Sequence, residues 1–200
     1  ASNSLILNLC STKKIELAIK QKGIDVINVG IGLDFKEFYN YNEECKNYLA
    51  IMFHDMPSKK YDVAVNIADI LFEKGIIEGV ISFGSNDKYK KFRHPKGLVA
   101  HYGNATKAGV AEVFNQCKAY LMPSISEGLN LTPIESTLCG CPAMIYDGAI
   151  GELFFNDINC IVNDSSNYYL IAESIENILI NFVKYSKQFE SDMRERIKDY

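Results

Sequence analysis

The chain has 200 residues, of which 48% are apolar and 23% are charged, and its formal net charge is −4. This length supports one well-buried domain or, at most, two small ones. The weakly acidic balance argues against a nucleic-acid-binding protein, which usually carries a broad basic face, and the densest basic cluster, between Lys88 and Lys96, is interpreted as a solvated loop. Because no apolar run is long enough to span a bilayer and no signal peptide is recognised, we expect a cytoplasmic protein.

A helix is predicted near the amino end of the chain. Ser11 or Thr12 can cap it, and Gly23 can end it. The apolar side chains expected to form its buried face are Ile15, Ala18 and Ile19. The next three segments are a short β-type run, a loop with two glycines and a polar, aromatic loop or linker, at 24–29, 30–34 and 36–46.

Short apolar runs alternate with amphipathic helices through the rest of the chain. The predicted strands cover 48–53, 79–83, 97–101, 119–122, 143–146 and 159–162. The predicted helices cover 62–74, 106–117, 149–155 and 167–184, and the charged tail at 185–200 is predicted to be a surface helix. This alternation predicts an α/β protein with a single Rossmann-like, doubly wound parallel sheet.

Polar loops follow several of the predicted strands. In a doubly wound sheet, ligands bind beyond the carboxyl ends of the strands. The loops expected to gather at this edge are 30–34, 54–60, 102–105 and 124–132. The six cysteines offer no competing metal site, because they include no C-x-x-C pair and no accompanying histidine spacing, and we expect reduced, buried thiols.

The stretch 119–142 carries two glutamates, Glu127 and Glu135, separated by seven residues. Thr132 can cap a helix in which Glu135 is the third residue, so this glutamate is either part of a capping box or a carboxylate that binds a ligand. Residues 126–131 would bring backbone N–H groups to the start of that helix, where a diphosphate is favoured. Two carboxylates would repel a phosphate unless they accept hydrogen bonds from neutral hydroxyls, and this combination indicates a nucleotide-sugar.

The segment PSISEGLNLTPIESTLCGCP resembles the E-x7-E segment of the retaining family-four glycosyltransferases. In that family, it belongs to the carboxyl-terminal, donor-binding half of the GT-B fold. The likeness extends over about residues 20–184. The other parts that resemble the family are Ile31–Asp34 with Phe38, the strand 48–53 with the lysines that follow it, and Gly151-Glu152 with the next apolar run.

The resemblance implies catalytic and donor-binding roles for four charged residues. Glu127 would contact the transferred sugar, and Glu135 would hold the ribose hydroxyls. Lys59 would neutralise the charge of the departing diphosphate, with Lys60 as the alternative register.

The resemblance also implies contacts for the neighbouring loops. Thr132 would lie at the phosphates, and Gly103 and Asn104 would lie near the base. His54 stands where the family usually has arginine. The residues expected to offer backbone amides to the sugar and the diphosphate are Gly128, Leu129, Asn130 and Leu131.

A GT-B enzyme has two Rossmann-like domains, and the resemblance implies that this chain supplies one of them. Residues 1–184 would form the nucleotide-sugar-binding domain and 185–200 a surface helix, while a missing amino-terminal domain would bind a glycan or lipid-linked acceptor at the inner membrane face. The implied activity is a hexosyltransferase of polysaccharide biosynthesis that needs no metal or other cofactor. The alternative is a glycosyltransferase-like binding or structural module with weak or no catalysis, which His54 and Asn130 favour.

Overall fold

The computed structural model describes residues 8–10, 13–30, 32–41, 45–127, 130–146, 161–162 and 167–197. The described strands are β1 (Leu9–Cys10), β2 (Ile27–Asn28), β3 (Tyr48–Phe53), β4 (Gly79–Gly84), β5 (Leu98–Gly103), β6 (Ala119–Met122), β7 (Ala143–Tyr146) and β8 (Ile161–Val162). The described helices are α1 (Lys13–Lys20), α2 (Tyr61–Glu73), α3 (Lys107–Gln116), α4 (Leu131–Leu138), α5 (Tyr168–Ile180) and α6 (Phe182–Ile197). The helix predicted at 149–155 lies outside the described residues.

Strands β3 to β8 form one parallel sheet in the order β5-β4-β3-β6-β7-β8. The chain enters this sheet at β3, runs out to the β5 edge, and returns to the other side of β3 at β6. The predicted α/β fold with a Rossmann-like, doubly wound parallel sheet is therefore confirmed. In such sheets, the crevice where the strand order reverses is the usual place for a ligand, and here it lies between β3 and β6.

The central strands form because they are apolar runs that helices cover on both faces. Leu49, Ala50 and Ile51 of β3 are fully buried, as is typical of a parallel sheet between two helical layers. Leu49 and Ile51 join one core with α2 and α5. Ala50 joins a second core with α3, α4 and α6. Alternate residues of the same strand thus anchor both layers, and the sheet gives its terminal loops a rigid base.

The helix predicted at 185–200 is present as α6, but it begins at Phe182 and its inner face is part of the second core. Phe189, Met193 and Ile197 recur every four residues and are at most 7% exposed. The Ser186 hydroxyl donates a hydrogen bond to the carbonyl of Gly140 at 2.7 Å. Since each buried apolar side chain of this size contributes roughly 1.5–3 kcal/mol, the helix is integral to the domain and only its outer face is charged.

The helix predicted at 167–184 is shorter in the structure. It ends at Ile180, and Asn181 separates α5 from α6. The Asn181 side-chain amide donates a hydrogen bond to the carbonyl of Asn177, which helps to close the last turn of α5. In the described part of the chain, no helix combines the length and the apolar character needed to cross a membrane.

Strands β1 and β2 form a separate two-stranded parallel sheet beside α1. The predicted buried face of α1 is wrong, because Ile15 and Ala18 are exposed and Ile19 is only half-buried. The loop 30–34 follows a strand of this small sheet, so its expected place at the edge of the main sheet is not supported. The large apolar side chains of this unit that are more than half exposed are Leu9, Leu17, Ile27 and Val29.

The segment predicted as a loop or linker at 36–46 contributes to the main domain. Phe38 is only 1% exposed and lies in the second core. Asp34 fixes the turn before it, because its carbonyl accepts the N–H groups of Glu37 and Phe38 while its carboxylate accepts that of Lys36. This packing attaches the connection between the two sheets to the larger one.

Candidate functional site

The loops that follow β3 and β6 meet at the crevice. The two strands are paired in register, with Ile51 opposite Leu121, so their carboxyl ends lie side by side. The backbone N–H of Ile125 donates to the carbonyl of Ser58 at 2.9 Å, which joins the two loops directly. Polar side chains that are almost 70 residues apart in the sequence are thereby brought to one place.

Lys59 and Glu127 form an ion pair across this junction. The Lys59 ammonium donates to Glu127 Oε1 at 2.6 Å, and the two side chains are only 19% and 12% exposed. Lys59 ends a short 3-10 turn after β3. Lys60 instead adopts the left-handed conformation (φ 51°), where its carbonyl accepts the N–H groups of Val63 and Ala64 at the start of α2. Of the two registers left open by the sequence, the structure brings Lys59 to Glu127.

Glu135 lies on α4, the helix that follows β6, and the capping-box interpretation of it is wrong. Helix α4 begins at Leu131 with Asn130 as its N-cap residue, and no side chain caps it. The Thr132 hydroxyl contacts the Tyr120 hydroxyl at 3.1 Å and donates to the sulfur of Met122 at 3.4 Å. Thr132 is inside the helix because the segment packs its side chain onto β6, which moves the helix start two residues earlier than the local pattern indicates.

Burial changes the titration of Glu135. Loss of solvent raises its pKa to about 6, and the positive charge of Lys107 opposes this rise only in part. Among the residues that the structure describes, none forms an ion pair with its carboxyl. Burial also raises the pKa of the neighbouring Tyr120 hydroxyl, which stays protonated. Glu135 is therefore a half-buried acceptor that a hydroxyl donor on a ligand can satisfy.

His54 follows β3 on the same loop as Lys59. Its Nδ1 accepts the backbone N–H of Met56 at 3.0 Å, so the neutral ring carries its proton on Nε2. The same nitrogen lies 3.4 Å from a carboxylate oxygen of Asp55. Lys88 donates to the other oxygen of Asp55, and this contact is the main cause of the lowered pKa of that carboxyl. His54 thus offers a donor from Nε2, where an arginine would offer several N–H groups in one plane.

Gly103 and Asn104 hold the loop between β4 and β5. Asn104 adopts the left-handed conformation (φ 51°), and its N–H donates to the carbonyl of Gly84 at 2.6 Å. Its side-chain oxygen accepts the N–H of Asn86 at 3.2 Å. A Cβ at Gly103 would meet the Asn86 side chain at 2.0 Å, so glycine is needed for this close approach. In the structure, both residues position the β4–β5 loop.

The remaining predicted site residues divide into two groups. Gly128 and Leu129 lie outside the described residues. Asn130 is buried at 2% exposure, whereas Leu131 is 40% exposed at the first turn of α4. The motif 123–142 therefore exposes one large apolar side chain at the start of α4 and buries several polar ones, namely Ser124, Asn130, Ser136 and Thr137.

A buried polar cluster beneath the β4–β5 loop has no signal in the sequence. The hydroxyl of Ser82 lies 2.8 Å from that of Tyr89 and 2.7 Å from Nδ1 of His101. The rings of Tyr89 and His101 stack at 3.5 Å, and burial lowers the pKa of His101. Because Ser82 is fully buried, the cluster supports the loop and is not placed to attack a ligand.

A small cavity of about 120 Å³ lies at the other end of the sheet. Its lining includes Cys45, Cys117 and Cys139, which precede β3, β6 and β7 and thus mark the amino ends of those strands. Burial raises the pKa of each of these thiols, to about 12 for Cys139. No group of three metal-binding side chains is placed to hold an ion anywhere in the described ranges. The cavity is therefore unrelated to the crevice.

Comparison with known proteins identifies one family. A profile of the family described as Glycosyl transferases group 1 matches residues 46–198. No curated protein matches the chain. Solved structures match it at low sequence identity, so these likenesses show the fold alone.

Three solved structures illustrate this likeness. TarM from S. aureus, in complex with Fondaparinux, alpha-GlcNAc-glycerol and UDP, is 17% identical with a TM-score of 0.73, and the match covers 96% of this chain and 40% of TarM. HepE from Anabaena, in complex with UDP-glucose, is 13% identical with a TM-score of 0.73, and the match covers 96% and 59%. The C-terminal domain of LpcC, a glycosyl transferase group 1 family protein from Francisella tularensis, is 16% identical with a TM-score of 0.64, and the match covers 84% and 97%.

Proposed function

The chain belongs to the glycosyl transferases group 1 family, and on that premise we propose that it is the carboxyl-terminal, donor-binding domain of a retaining, family-four glycosyltransferase with the GT-B fold. The observation that carries this proposal is the meeting of Lys59 and Glu127 at 2.6 Å in the crevice between β3 and β6, with the half-buried Glu135 on the helix that follows β6. A cation and two carboxylates at this place suit a ligand that combines phosphates with sugar hydroxyls.

Each charged group has a separate task in the proposed complex. Lys59 binds the diphosphate and stabilises the negative charge that develops as the sugar leaves. Glu127 accepts a hydrogen bond from a hydroxyl of the transferred sugar. Glu135 accepts hydrogen bonds from the ribose, and its raised pKa of about 6 leaves it ionised at neutral pH.

The backbone around α4 completes the proposed site. The first N–H groups of a helix lack partners within the helix and favour an anion. Gly128, Leu129, Asn130 and Leu131 would supply such groups to the sugar and the diphosphate, with Thr132 beside the phosphates. Gly103 and Asn104 would border the base, and His54 would give the diphosphate a neutral donor from Nε2.

The proposed acceptor side lies outside this chain. The chain spans 40% of TarM, whose structure contains UDP, but nearly all of the LpcC C-terminal domain. Parallel sheets are normally buried on both faces, and a two-stranded sheet is not stable alone. In the unit formed by β1, α1 and β2, however, Leu9, Leu17 and Ile27 are more than half exposed. We place this small unit against a preceding acceptor domain, with the enzyme at the cytoplasmic face of a membrane where it transfers hexose to a glycan or lipid-linked acceptor.

Calorimetric titration with uridine, guanosine and thymidine diphosphates tests the donor site. We expect one of the three to bind, and Lys59→Ala to weaken that diphosphate about tenfold or more while leaving the matching nucleoside unchanged, since a hydrogen bond to a charged group contributes about 1.5–3 kcal/mol. Glu135→Ala should weaken the diphosphate and the nucleoside equally.

The same titration decides between this function and a glycosyltransferase-like module without donor binding. His54 favours the second candidate, because its Nδ1 is already used by Met56 and its ring lacks the charged fork of arginine. Absence of heat with all three diphosphates, or equal losses for diphosphate and nucleoside in Lys59→Ala, would count against the donor site.

A further inference from the structure

The ion pair between Lys59 and Glu127 occupies both groups that the donor needs. The pair is largely buried, and the Ile125 to Ser58 hydrogen bond holds its two loops together. In this pair, the positive charge of Lys59 is balanced by the Glu127 carboxylate, which lies 2.6 Å away. A diphosphate that approaches Lys59 therefore meets a neutralised cation with an anion beside it.

Resting on the proposed function, we propose that the Lys59–Glu127 pair distinguishes the intact nucleotide-sugar from the nucleoside diphosphate left after transfer. An intact donor replaces both halves of the pair at once: a phosphate oxygen takes Lys59, and a sugar hydroxyl donates to Glu127. A nucleoside diphosphate can bind Lys59 through a phosphate oxygen, but it has no sugar hydroxyl to donate to Glu127. The Glu127 carboxylate is then left beside two phosphates without a hydrogen-bond donor. The pair then forms again and releases the product.

The burial of the two side chains makes this exchange effective. Water competes strongly for exposed ions, so an ion pair at the surface opens at little cost. Lys59 and Glu127 are 19% and 12% exposed, so an opened Glu127 is poorly hydrated and depends on a ligand hydroxyl. The pair between Lys96 and Glu73 provides the contrast, because its side chains are 58% and 54% exposed.

The proposal is tested with Glu127→Gln, which keeps the shape of the side chain and removes its charge. The probes are UDP, UDP-glucose and inorganic pyrophosphate, titrated into the whole chain, and the guanosine and thymidine equivalents are used if UDP does not bind. The wild-type protein should bind the nucleotide-sugar more tightly than the nucleoside diphosphate. In Glu127→Gln, the nucleoside diphosphate and pyrophosphate should bind about tenfold more tightly, because the competing anion is gone, and the preference for the nucleotide-sugar should be lost.

Glu73→Gln is the matched control, because it makes the same change in an exposed pair away from the crevice. Its affinities should equal those of the wild type. Unchanged or weaker binding of the nucleoside diphosphate and pyrophosphate to Glu127→Gln would overturn the proposal while leaving the donor site intact. Absence of nucleotide binding to every form of the protein would instead overturn the donor site itself.

A double-mutant cycle examines the pair without any ligand. The variants are Lys59→Met, Glu127→Gln and their combination, and the measurement is the urea midpoint of unfolding. We expect the shift in the double variant to differ from the sum of the two single shifts. Additive shifts would show that the two side chains are uncoupled in solution and would overturn the proposed exchange.

Discussion

The β4–β5 half and the β3–β6 half of the sheet use charge in different ways. Beside β4 and β5, the cations of the long loop are bound to carboxylates of other segments: Lys88 to Asp55, Arg93 to Asp69, and Lys96 to Glu73. Beside β3 and β6, Lys59 and Glu127 are paired in the crevice, and the half-buried Glu135 forms no ion pair with any described residue.

This difference shows which charges are available to a ligand. The basic cluster between Lys88 and Lys96 does not form a free basic face, since three of its cations fasten the loop to α2 and to the β3 loop. The β3–β6 half keeps charged groups whose partners a ligand can replace, which is the property expected of a binding site.

The largest expected effect comes from Gly84, which joins the two halves at the end of β4. Its φ of 134° is a conformation that other residues rarely adopt, and a Cβ there would lie 2.1 Å from the carbonyl oxygen of Phe53. We expect Gly84→Ala to lower the free energy of unfolding by about 3 kcal/mol. Urea denaturation measures this change.

Gly109→Ala is the matched control for that substitution. Gly109 lies in α3, and an added Cβ would meet its neighbours at 3.5 Å, which is ordinary contact. Because alanine is the better helix former, this variant should be as stable as the wild type or more stable by up to about 1 kcal/mol. If both variants lost the same free energy of unfolding, the conformation and the close contact of Gly84 would not explain the loss.

Asp69 tests whether the β4–β5 half is a loop support and not a ligand site. It is 6% exposed on α2, accepts the N–H of Lys96 at 2.7 Å, and pairs with Arg93. Asp69→Ala should cost about 2 kcal/mol of stability, because the partly buried N–H of Lys96 loses its acceptor and Arg93 loses its carboxylate partner. Diphosphate affinity, measured at a temperature where the variant remains folded, should be unchanged.

Glu73→Gln shows whether the effect of Asp69→Ala depends on the burial of the carboxylate, because Glu73 forms an ion pair in the same half of the sheet but is exposed. Its pair with Lys96 is exposed, so its loss should leave the free energy of unfolding nearly unchanged. A large loss of diphosphate affinity in Asp69→Ala would place the β4–β5 loop in the ligand site and contradict the contrast between the halves.

The sequence is most informative where one local rule decides the structure. Strands β3, β6 and β7 have the predicted bounds, because each is a short apolar run that must be covered on both faces. The proximity of Lys59 and Glu127 followed from a general rule, since loops after neighbouring parallel strands share one edge. Their assigned roles remain predictions.

Tertiary contacts decide the features that the sequence did not predict. Thr132 has the pattern of a helix cap, but packing against Tyr120 draws it into the first turn of α4. The tail is rich in charged residues, but three apolar side chains at intervals of four attach α6 to the core. The pairing of Asp69 with Arg93 joins segments that share no local pattern, so only the folded structure shows it.

The pH dependence of Glu135 is a smaller expected effect than those of Gly84→Ala and Asp69→Ala, and it is the sharpest test of the β3–β6 half. Burial raises its pKa to about 6 from an ordinary value of 4.5, so the folded state favours the neutral acid. Ribose hydroxyls would bind the ionised form more strongly. Uridine, or the nucleoside whose diphosphate binds, should therefore bind about tenfold more weakly at pH 5 than at pH 7, where its affinity levels off. Titration followed by NMR measures this change, and a nucleoside avoids the ionisation of phosphate groups near pH 6.

Glu135→Gln should remove this pH dependence, because an amide does not titrate in this range. The stability of Glu135→Gln relative to the wild type tests independently whether the pKa of Glu135 is raised. A carboxyl whose pKa is raised in the folded state is destabilising once it ionises, so the wild type loses stability as the pH rises from 4.5 through 6. Above pH 6, Glu135→Gln should be more stable than the wild type by about 1–2 kcal/mol, and below pH 4.5 this advantage should disappear. If the variant kept the pH dependence of nucleoside binding, the titrating group would lie elsewhere, and the buried carboxylate would lose its role as the ribose acceptor.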